Sequence, residues 1–536
     1  MTQSCEVAIV GSGFAGSLLA RVLAVIGYDV VLLERHAHPR FAIGESTTPL
    51  ANLSLERIGA RYRLADCYRL ATHGRWLEHL PHLRRGLKRG FTYYRHHPHE
   101  PFADRGLASE RLLVAASPDD ALSDTHWLRA DVDHHFVRMA EAAGVDYRDC
   151  VELTSAARSA GRWHLSGTCS GESFALDARF VVDATGPAGF LARQLALPSV
   201  VDRTHTRAGI VFSHFDDVAL MRDLVPSLPA GPYSDDWAAV HHLVDEGWMY
   251  SLRFDHGTTS AGFMLTPRGA ASLRATYAEP TALWSELLAR YPTIERAFSA
   301  ATPSMPIVAQ PTVQHRLARA TGEGWAMLPH AYAFVDPLFS TGISWGLRAV
   351  ERLALAFEDA APSTRAPDAS TLDRYDALLG AEADQIDLVV AGAYEAIAHF
   401  DLFAAQAMLY FATVSFAEVS QRIAADDSVA WKGFLGVGDD VLGPLPRKSY
   451  VRLAAITRGL GDTGSAAERR RFAEWIARSL ESRNVAGLAD SVRHNLYPVD
   501  LDVLVDRHAL LGRTREQMID ALPALRGMSP EPAWAS

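Results

Sequence analysis

Within its first thirty-four residues the chain sets out a strand, a glycine turn, a helix and a second strand with no spacer between them. Val7-Ala8-Ile9-Val10 is a β-branched run suited to a buried parallel strand, and Gly11-Ser12-Gly13-Phe14-Ala15-Gly16 follows it directly. Leu18, Leu19, Val22, Leu23 and Ile26 then recur at helical spacing until Gly27, and Val30-Val31-Leu32-Leu33 reads as a second strand that stops at Glu34. Gly11 permits a tight turn, Gly13 lets backbone N–H groups approach a pyrophosphate, and Gly16 lets the helix lie against the strand. The helix N-terminus at Phe14 and Ala15 supplies partial positive charge. Glu34, eighteen residues after Gly16 and followed by Arg35, is placed to accept from a ribose 2′-OH. The order specifies an α/β dinucleotide-binding unit; by itself it does not choose between FAD and NAD.

The whole chain is 536 residues, 48% hydrophobic and 21% charged, long enough for more than one packed core. Its 52 basic and 63 acidic side chains leave a net charge of −11, with no dense Lys/Arg run. That balance argues against nucleic acid or an anionic membrane as partner, since both are held by neutralising phosphates. Cys5, Cys67, Cys150 and Cys169 form no C-x-x-C pair and read as reduced residues of a cytoplasmic protein. No basic stretch precedes the first strand, so no leader is expected. The most apolar long segment, Ile386 to Val419, is interrupted by Glu395, His399 and Asp401. It falls short of the roughly 20 apolar residues of a membrane span and reads as buried helix. His96-His97-Pro98-His99, His134-His135 and His241-His242 lack carboxylate or Cys partners at ligand spacing, so no metal is expected.

Three further segments carry more: Phe41-Ala42-Ile43-Gly44-Glu45-Ser46-Thr47-Thr48-Pro49, Val181-Val182-Asp183-Ala184-Thr185-Gly186, and Val335-Asp336-Pro337-Leu338-Phe339-Ser340-Thr341-Gly342-Ile343. In this order and spacing the chain, over roughly residues 5 to 360, resembles the flavin-dependent halogenases (tryptophan halogenase-like) and related FAD-dependent aromatic monooxygenases. The resemblance implies a Rossmann-like FAD-binding domain of the PHBH and glutathione-reductase type, a β-sheet substrate region and a helical C-terminal region. It assigns 1–200 to the first part of the FAD domain, with a substrate-side insertion at about 70–105, 201–320 to the sheet region, 321–360 to a return to the FAD domain, and 361–536 to the helical region. It also implies that Gly44, Glu45 and Ser46 pass along the flavin, that the Asp183-to-Gly186 turn closes the FAD domain, that Asp336-Pro337 leads into a helix near the isoalloxazine, and that Arg129 belongs to the cofactor set. Read on its own residues, Ser340-Thr341-Gly342-Ile343 followed by Leu347, Val350 and Leu353 is a helix entry with free N–H groups, suited to an electron-rich flavin edge. The chain departs from the family at Pro329-His330, where a Gly-Asp pair usually places its Asp on the flavin ribityl chain.

In the family, reduced flavin (FADH2) and O2 give a C4a-hydroperoxide. A hydroxylase lets an activated ring take the distal oxygen. A halogenase holds the substrate away, so that chloride or bromide intercepts the oxygen and a lysine handles the hypohalous acid. A Trp-x-Trp-x-Ile-Pro stretch marks that separation. Gly247-Trp248-Met249-Tyr250-Ser251-Leu252-Arg253 keeps Trp248 and replaces the second Trp by Tyr250, Ile by Leu252 and Pro by Arg253. The same alternation fits an ordinary half-buried strand. The lysine candidate is Lys88, in Gly86-Leu87-Lys88-Arg89-Gly90-Phe91-Thr92-Tyr93-Tyr94, where burial would lower its pKa. Phe339 stands where tryptophan-halogenating members carry Glu, which points to an electron-rich phenolic, pyrrolic or indolic ring, free or tethered to a carrier or peptide. Arg253 and the aromatics around Tyr93 are candidates for steering such a substrate.

The expected function is thus an FAD-dependent halogenase of secondary metabolism, with Lys88, Trp248 and Tyr250 as catalytic candidates. The alternatives are a monooxygenase that hydroxylates without halogen transfer, a reductase or cyclase of the same fold, and a non-catalytic FAD-binding partner protein. Pro362 and Pro367 mark a linker, after which Asp373 to Asp426 reads as two long helices, with Phe400, Phe403, Met408 and Phe411 as core or tunnel lining. With no second G-x-G-x-x-G, a separate flavin reductase is the expected source of FADH2, and a homodimer is compatible with the resemblance.

Overall fold

A computed structural model describes residues 3–103, 110–424, 427–459 and 465–525, together with Pro532 and Trp534. The opening unit forms as strand Gln3–Val10, helix Phe14–Val25 and strand Val30–Leu33. The first strand begins ahead of its β-branched run because Gln3, Ser4 and Cys5 pair with Leu176, Asp177 and Ala178 of the long strand Glu172–Asp183. Local composition could not show a partner so remote in sequence. Val7 to Val10 lie between that strand and Val30–Leu33, parallel to both. Trp325–Met327 and Asp146–Arg148 extend the parallel sheet on either side. Its central strands are buried on both faces, which is why they read as unbroken apolar runs.

A second sheet places Gly209–Asp216, Thr259–Leu265, Gly247–Arg253, Ala239–Val244, Gly90–Arg95 and Arg111–Ala115 side by side. Neighbours are antiparallel except Ala239–Val244 and Gly90–Arg95, which run parallel. A strand from the first hundred residues is therefore built into the sheet of the 209–265 segment. Period-two alternation sends Trp248, Tyr250 and Leu252 into the main core, while Met249 faces Leu283, Trp284 and Leu287 of helix Pro280–Arg290. Both faces are covered, so the strand is buried along most of its length, with only Ser251 and Arg253 half-buried. The same alternation puts Arg253 on the face away from Trp248, where its guanidinium donates to the Val218 carbonyl at 2.7 Å. The expected steering role for Arg253 beside Tyr93 is corrected on that ground.

The C-terminal region is bound closely to the rest. Helix Ala369–Ala396 starts before the expected Asp373 because the Asp368 carboxylate caps it, accepting from the Thr371 N–H at 2.8 Å. Helix Phe400–Arg422 follows; Asp426 lies outside the described residues. This second helix is long and apolar enough to cross a membrane by composition, yet most of it is packed inside the protein, with Phe400, Phe403, Met408 and Phe411 all buried. Glu382 forms a fully buried ion pair with Arg352 at 2.6 Å and also accepts from the Trp345 indole and the Phe434 N–H. Beyond the helices, Leu496–Tyr497 adds a short parallel strand beside Arg111–Ala115, so the region expected to be helical also extends the second sheet.

Candidate active site

The glycine turn rests directly on the Ala184 loop. Gly11 has φ +105°, and a Cβ there would lie 2.5 Å from the Ala184 carbonyl oxygen; a Cβ on Gly16 would lie 2.1 Å from the Gly11 carbonyl oxygen. Only glycine fits either position. Asp183 shapes the facing loop: its carboxylate accepts from the Thr185 N–H at 2.9 Å, the Thr185 hydroxyl at 2.6 Å and the Leu191 N–H at 2.7 Å. Gly186 continues that turn at φ +59°. At the end of the second strand, Glu34 accepts from the Ser12 N–H and hydroxyl, the His36 N–H and Arg40. Burial acts to raise the Glu34 pKa, but Arg40 and the N–H donors outweigh it and hold the carboxyl below its usual value. Arg35 is exposed, and its guanidinium donates to the neighbouring His36 ring.

Arg129, at the start of helix Arg129–Ala142, draws three segments together. It donates to the Ile43 and Gly44 carbonyls at 3.0 and 2.9 Å, pairs with Asp133 at 2.8 Å, and lies 4.9 Å over the Phe14 ring. Asp133 in turn accepts from the Phe14 N–H at 3.2 Å. Next along the chain, Glu45 is buried 2.9 Å from the His214 ring of the second sheet. The Trp127 N–H donates to the Glu45 carbonyl, and Thr47 and Thr125 exchange hydrogen bonds, pinning this segment to strand Asp124–Trp127. The Ser46 hydroxyl is buried with no partner among the described residues.

Helix Thr341–Glu358 enters beside these groups. Its N-cap Ser340 has φ 51° and gives no side-chain cap, which leaves the N–H groups of Thr341, Gly342 and Ile343 at an open helix end. Thr48 and Ser344 hydroxyls meet at 2.5 Å, and a Cβ on Gly346 would lie 3.0 Å from the Phe14 ring. His330 packs over Gly342, 2.9 Å from where a Cβ would stand. Burial and the Arg129 charge lower the His330 pKa to about 4, so a neutral imidazole occupies the place of the family's carboxylate. The cradle of Gly11 and Gly16, the open end of helix Thr341–Glu358 and the unpartnered Ser46 hydroxyl fit an FAD molecule.

Lys88 sits against this cradle. Strand Arg85–Lys88 pairs antiparallel with Asp124–Trp127, with Lys88 opposite Asp124. The ammonium is completely buried, donates to the Thr47 carbonyl and lies 4.1 Å over the Phe91 ring. It is one of three lysines in the sequence, with Lys432 and Lys448. Burial lowers its pKa to about 8, and the Asp124 charge acts against that fall. From Phe91 an aromatic series runs through Phe411 and Tyr410 to Phe339, and a second runs from Tyr93 through His241 to Trp248. The Trp248 indole donates to the Tyr394 hydroxyl at 2.9 Å, which donates to Asp336 at 2.7 Å. Burial pushes the Asp336 carboxyl up to about 7, with Tyr394 and the Leu338 N–H acting against it. The Tyr250 ring lies 6.2 Å from Trp248, and burial pushes its hydroxyl pKa up. Pro337 joins Asp336 to the Ser340 turn.

The structure thus brings the Gly13, Gly44, Ser46, Ser340 and Lys88 segments together, and leaves Arg35 outside them. It gives Thr47, which lay unassigned within the Phe41-to-Pro49 segment, a role, and adds Asn52, Asp124, His214 and Tyr394, which carried no readable signal because each acts through a strand register or a helix docking that appears only in the fold. The histidine runs separate. His96 and His242 pair at 2.9 Å in the interior, and His241 stacks on Tyr93. Among the described residues no group of three or more His, Cys, Asp or Glu side chains is arranged to hold a metal.

Fold and site together define a flavoprotein with a Rossmann-like dinucleotide domain, a second, mostly antiparallel β-sheet and a helical C-terminal region. The chain belongs to the FAD dependent oxidoreductase family, whose model matches residues 6–336, and FAD is accordingly its cofactor. It is similar to tetracycline 7-halogenase of Kitasatospora aureofaciens, 30% identical over 63% of this chain and 60% of the relative. Monodechloroaminopyrrolnitrin halogenase PrnC of Pseudomonas fluorescens is 25% identical over 63% of this chain and 59% of the relative. The matches thus span about three fifths of each relative's length. In fold, the chain is similar to the structure of halogenase PltM with phloroglucinol and FAD, with a TM-score of 0.82 over 92% of this chain and 99% of that one, at 23% identity.

Proposed function

We propose that the protein uses reduced FAD, O2 and chloride or bromide to halogenate an electron-rich aromatic ring in secondary metabolism. One observation carries this reading: a fully buried ammonium, Lys88, touches the Thr47 carbonyl in the segment that follows Gly44-Glu45-Ser46. When bound and reduced, FAD supplies the electrons that activate O2. The uncapped N-terminus of helix Thr341–Glu358 and the glycine turn ahead of helix Phe14–Val25, whose Phe14 N–H is already taken by Asp133, would hold the anionic parts of the cofactor, and Arg129 fixes the Gly44 turn beside them. Trp248 and Tyr250 form a wall that keeps the substrate ring from the flavin. Lys88 donates a hydrogen bond to the oxygen of the hypohalous acid. The halogen passes to the ring, the oxygen leaves as water, and the displaced ring proton restores the balance.

Phe339 in place of a carboxylate fits a ring that is already activated, as in a phenol or pyrrole, free or carried on a peptide or carrier. A single G-x-G-x-x-G fits delivery of FADH2 by a separate reductase in the cytoplasm, and a homodimer is compatible with the same reading. The replacements Tyr250, Leu252 and Arg253 in the Trp stretch favour hydroxylation as the second reading. The test supplies the protein with FADH2, O2, bromide or chloride, and phenolic, pyrrolic and indolic probes. Halide-dependent halogenated product supports the reading; hydroxylated product formed irrespective of halide replaces it with the second.

A further inference from the structure

Lys88 and Asp124 stand directly opposite each other in an antiparallel pair, so their side chains leave the two strands on the same face. Lys88 is 0% and Asp124 2% exposed, and one Asp124 oxygen accepts from the Asn52 amide at 2.8 Å. The other Asp124 oxygen is buried without a hydrogen-bond partner among the described residues. The lysine ammonium has three protons, and the Thr47 carbonyl takes one of them. A buried cation and a buried carboxylate thus share one dry face with bonding capacity left on both.

We propose that Asp124, oriented by Asn52, is the positioning residue for Lys88: its carboxylate holds the side chain as an ammonium beside the Thr47 carbonyl, ready to donate to the oxidant. The proposal rests on the reading of Lys88 as the reacting side chain. Burial pushes Lys88 down to about 8 and Asp124 up to about 7, each group pulling the other back towards its charged form. The other groups facing the pair do not replace Asp124. His126 on the same strand and His241 on Ala239–Val244 are neutral, with pKa values lowered by burial to about 3. From helix Phe400–Arg422, Glu418 raises Asp124 while Arg422 lowers it, and burial keeps Tyr410 protonated. Asp124 is therefore the anion that sustains the charge on Lys88.

Because the chain contains three lysines, selective labelling makes the test direct. The full-length FAD-loaded protein is prepared with ε-13C-lysine, Lys88 is assigned by its loss in Lys88→Arg, and its chemical shift is titrated. Asp124→Asn is expected to move the Lys88 midpoint down by about one pH unit or more, the scale of losing a close opposite charge. Asn52→Ala is expected to move it the same way by less, and Asp124→Glu to restore it. An unchanged Lys88 midpoint in Asp124→Asn overturns the proposal. If that variant does not fold, the unchanged midpoint in Asn52→Ala does so. The titration needs no turnover, so an absence of halogenation in the wild type would count against the proposed function and leave this result intact.

Discussion

The Lys88 ammonium donates to the main-chain carbonyl of Thr47, joining the strand that carries the lysine to the segment continuing from Gly44. The lysine thereby has a fixed address on the cofactor cradle. The strand Asp124–Trp127 lies between them in the pairing pattern, bonded to Arg85–Lys88 on one side and to Thr47 on the other.

The glycine cradle predicts a loss of cofactor. Gly16→Ala would place a methyl 2.1 Å from the Gly11 carbonyl oxygen, and backbone must shift to relieve it. Overpacking of this kind costs about 1–3 kcal/mol. The purified variant is expected to melt at a lower temperature and to show a reduced ratio of flavin to protein absorbance.

Tyr394 predicts a cost without a change in size. Tyr394→Phe removes both the acceptor of the Trp248 indole and the donor to Asp336. Leaving buried polar groups unpartnered costs about 1–3 kcal/mol each. Denaturant unfolding should show that loss with an unchanged slope.

The Glu382 cluster predicts that the C-terminal region cannot be separated from the FAD-binding part. Glu382→Ala strands the fully buried Arg352 guanidinium and two further donors. Breaking a buried pair in this way costs about 3–5 kcal/mol. Urea unfolding of the variant should show a loss in that range or a failure to accumulate folded protein.

Stability should fall with acid from about pH 6.5. Burial holds His126, His241 and His242 down at about 3 and His330 at about 4, against 6.5 for the exposed ring. Between those values the unfolded chain binds protons that the folded chain refuses, so unfolding takes up protons and stability drops as pH falls. Asp124 and Asp336, raised to about 7 by burial, work the other way between pH 7 and 3.8, because the folded state protonates them first. The histidines outnumber them, and the melting temperature is expected to be several degrees lower at pH 5 than at pH 7.

Much of the cradle was legible because it is local. Strand, glycines, helix and acid lie in one run, and Ser340-Thr341-Gly342 announces its own helix end. The parts that escaped depend on pairing across long separations. Nothing in Ser123-Asp124-Thr125-His126 shows that Asp124 faces Lys88, since only the register of two short strands decides it. Tyr394 lies within an apolar helix and gains its meaning by docking on Trp248 and Asp336. Arg253 looked available to a substrate until alternation turned it to the opposite face.

The central claim is that Lys88 carries the halogen chemistry, and product analysis of Lys88→Ala beside the wild type tests it most directly. Both proteins receive the same FADH2, O2, bromide and phenolic probe, with bound FAD measured in each. The account predicts brominated product from the wild type, none from Lys88→Ala, and equal FAD content. Full-rate bromination by FAD-loaded Lys88→Ala would contradict it.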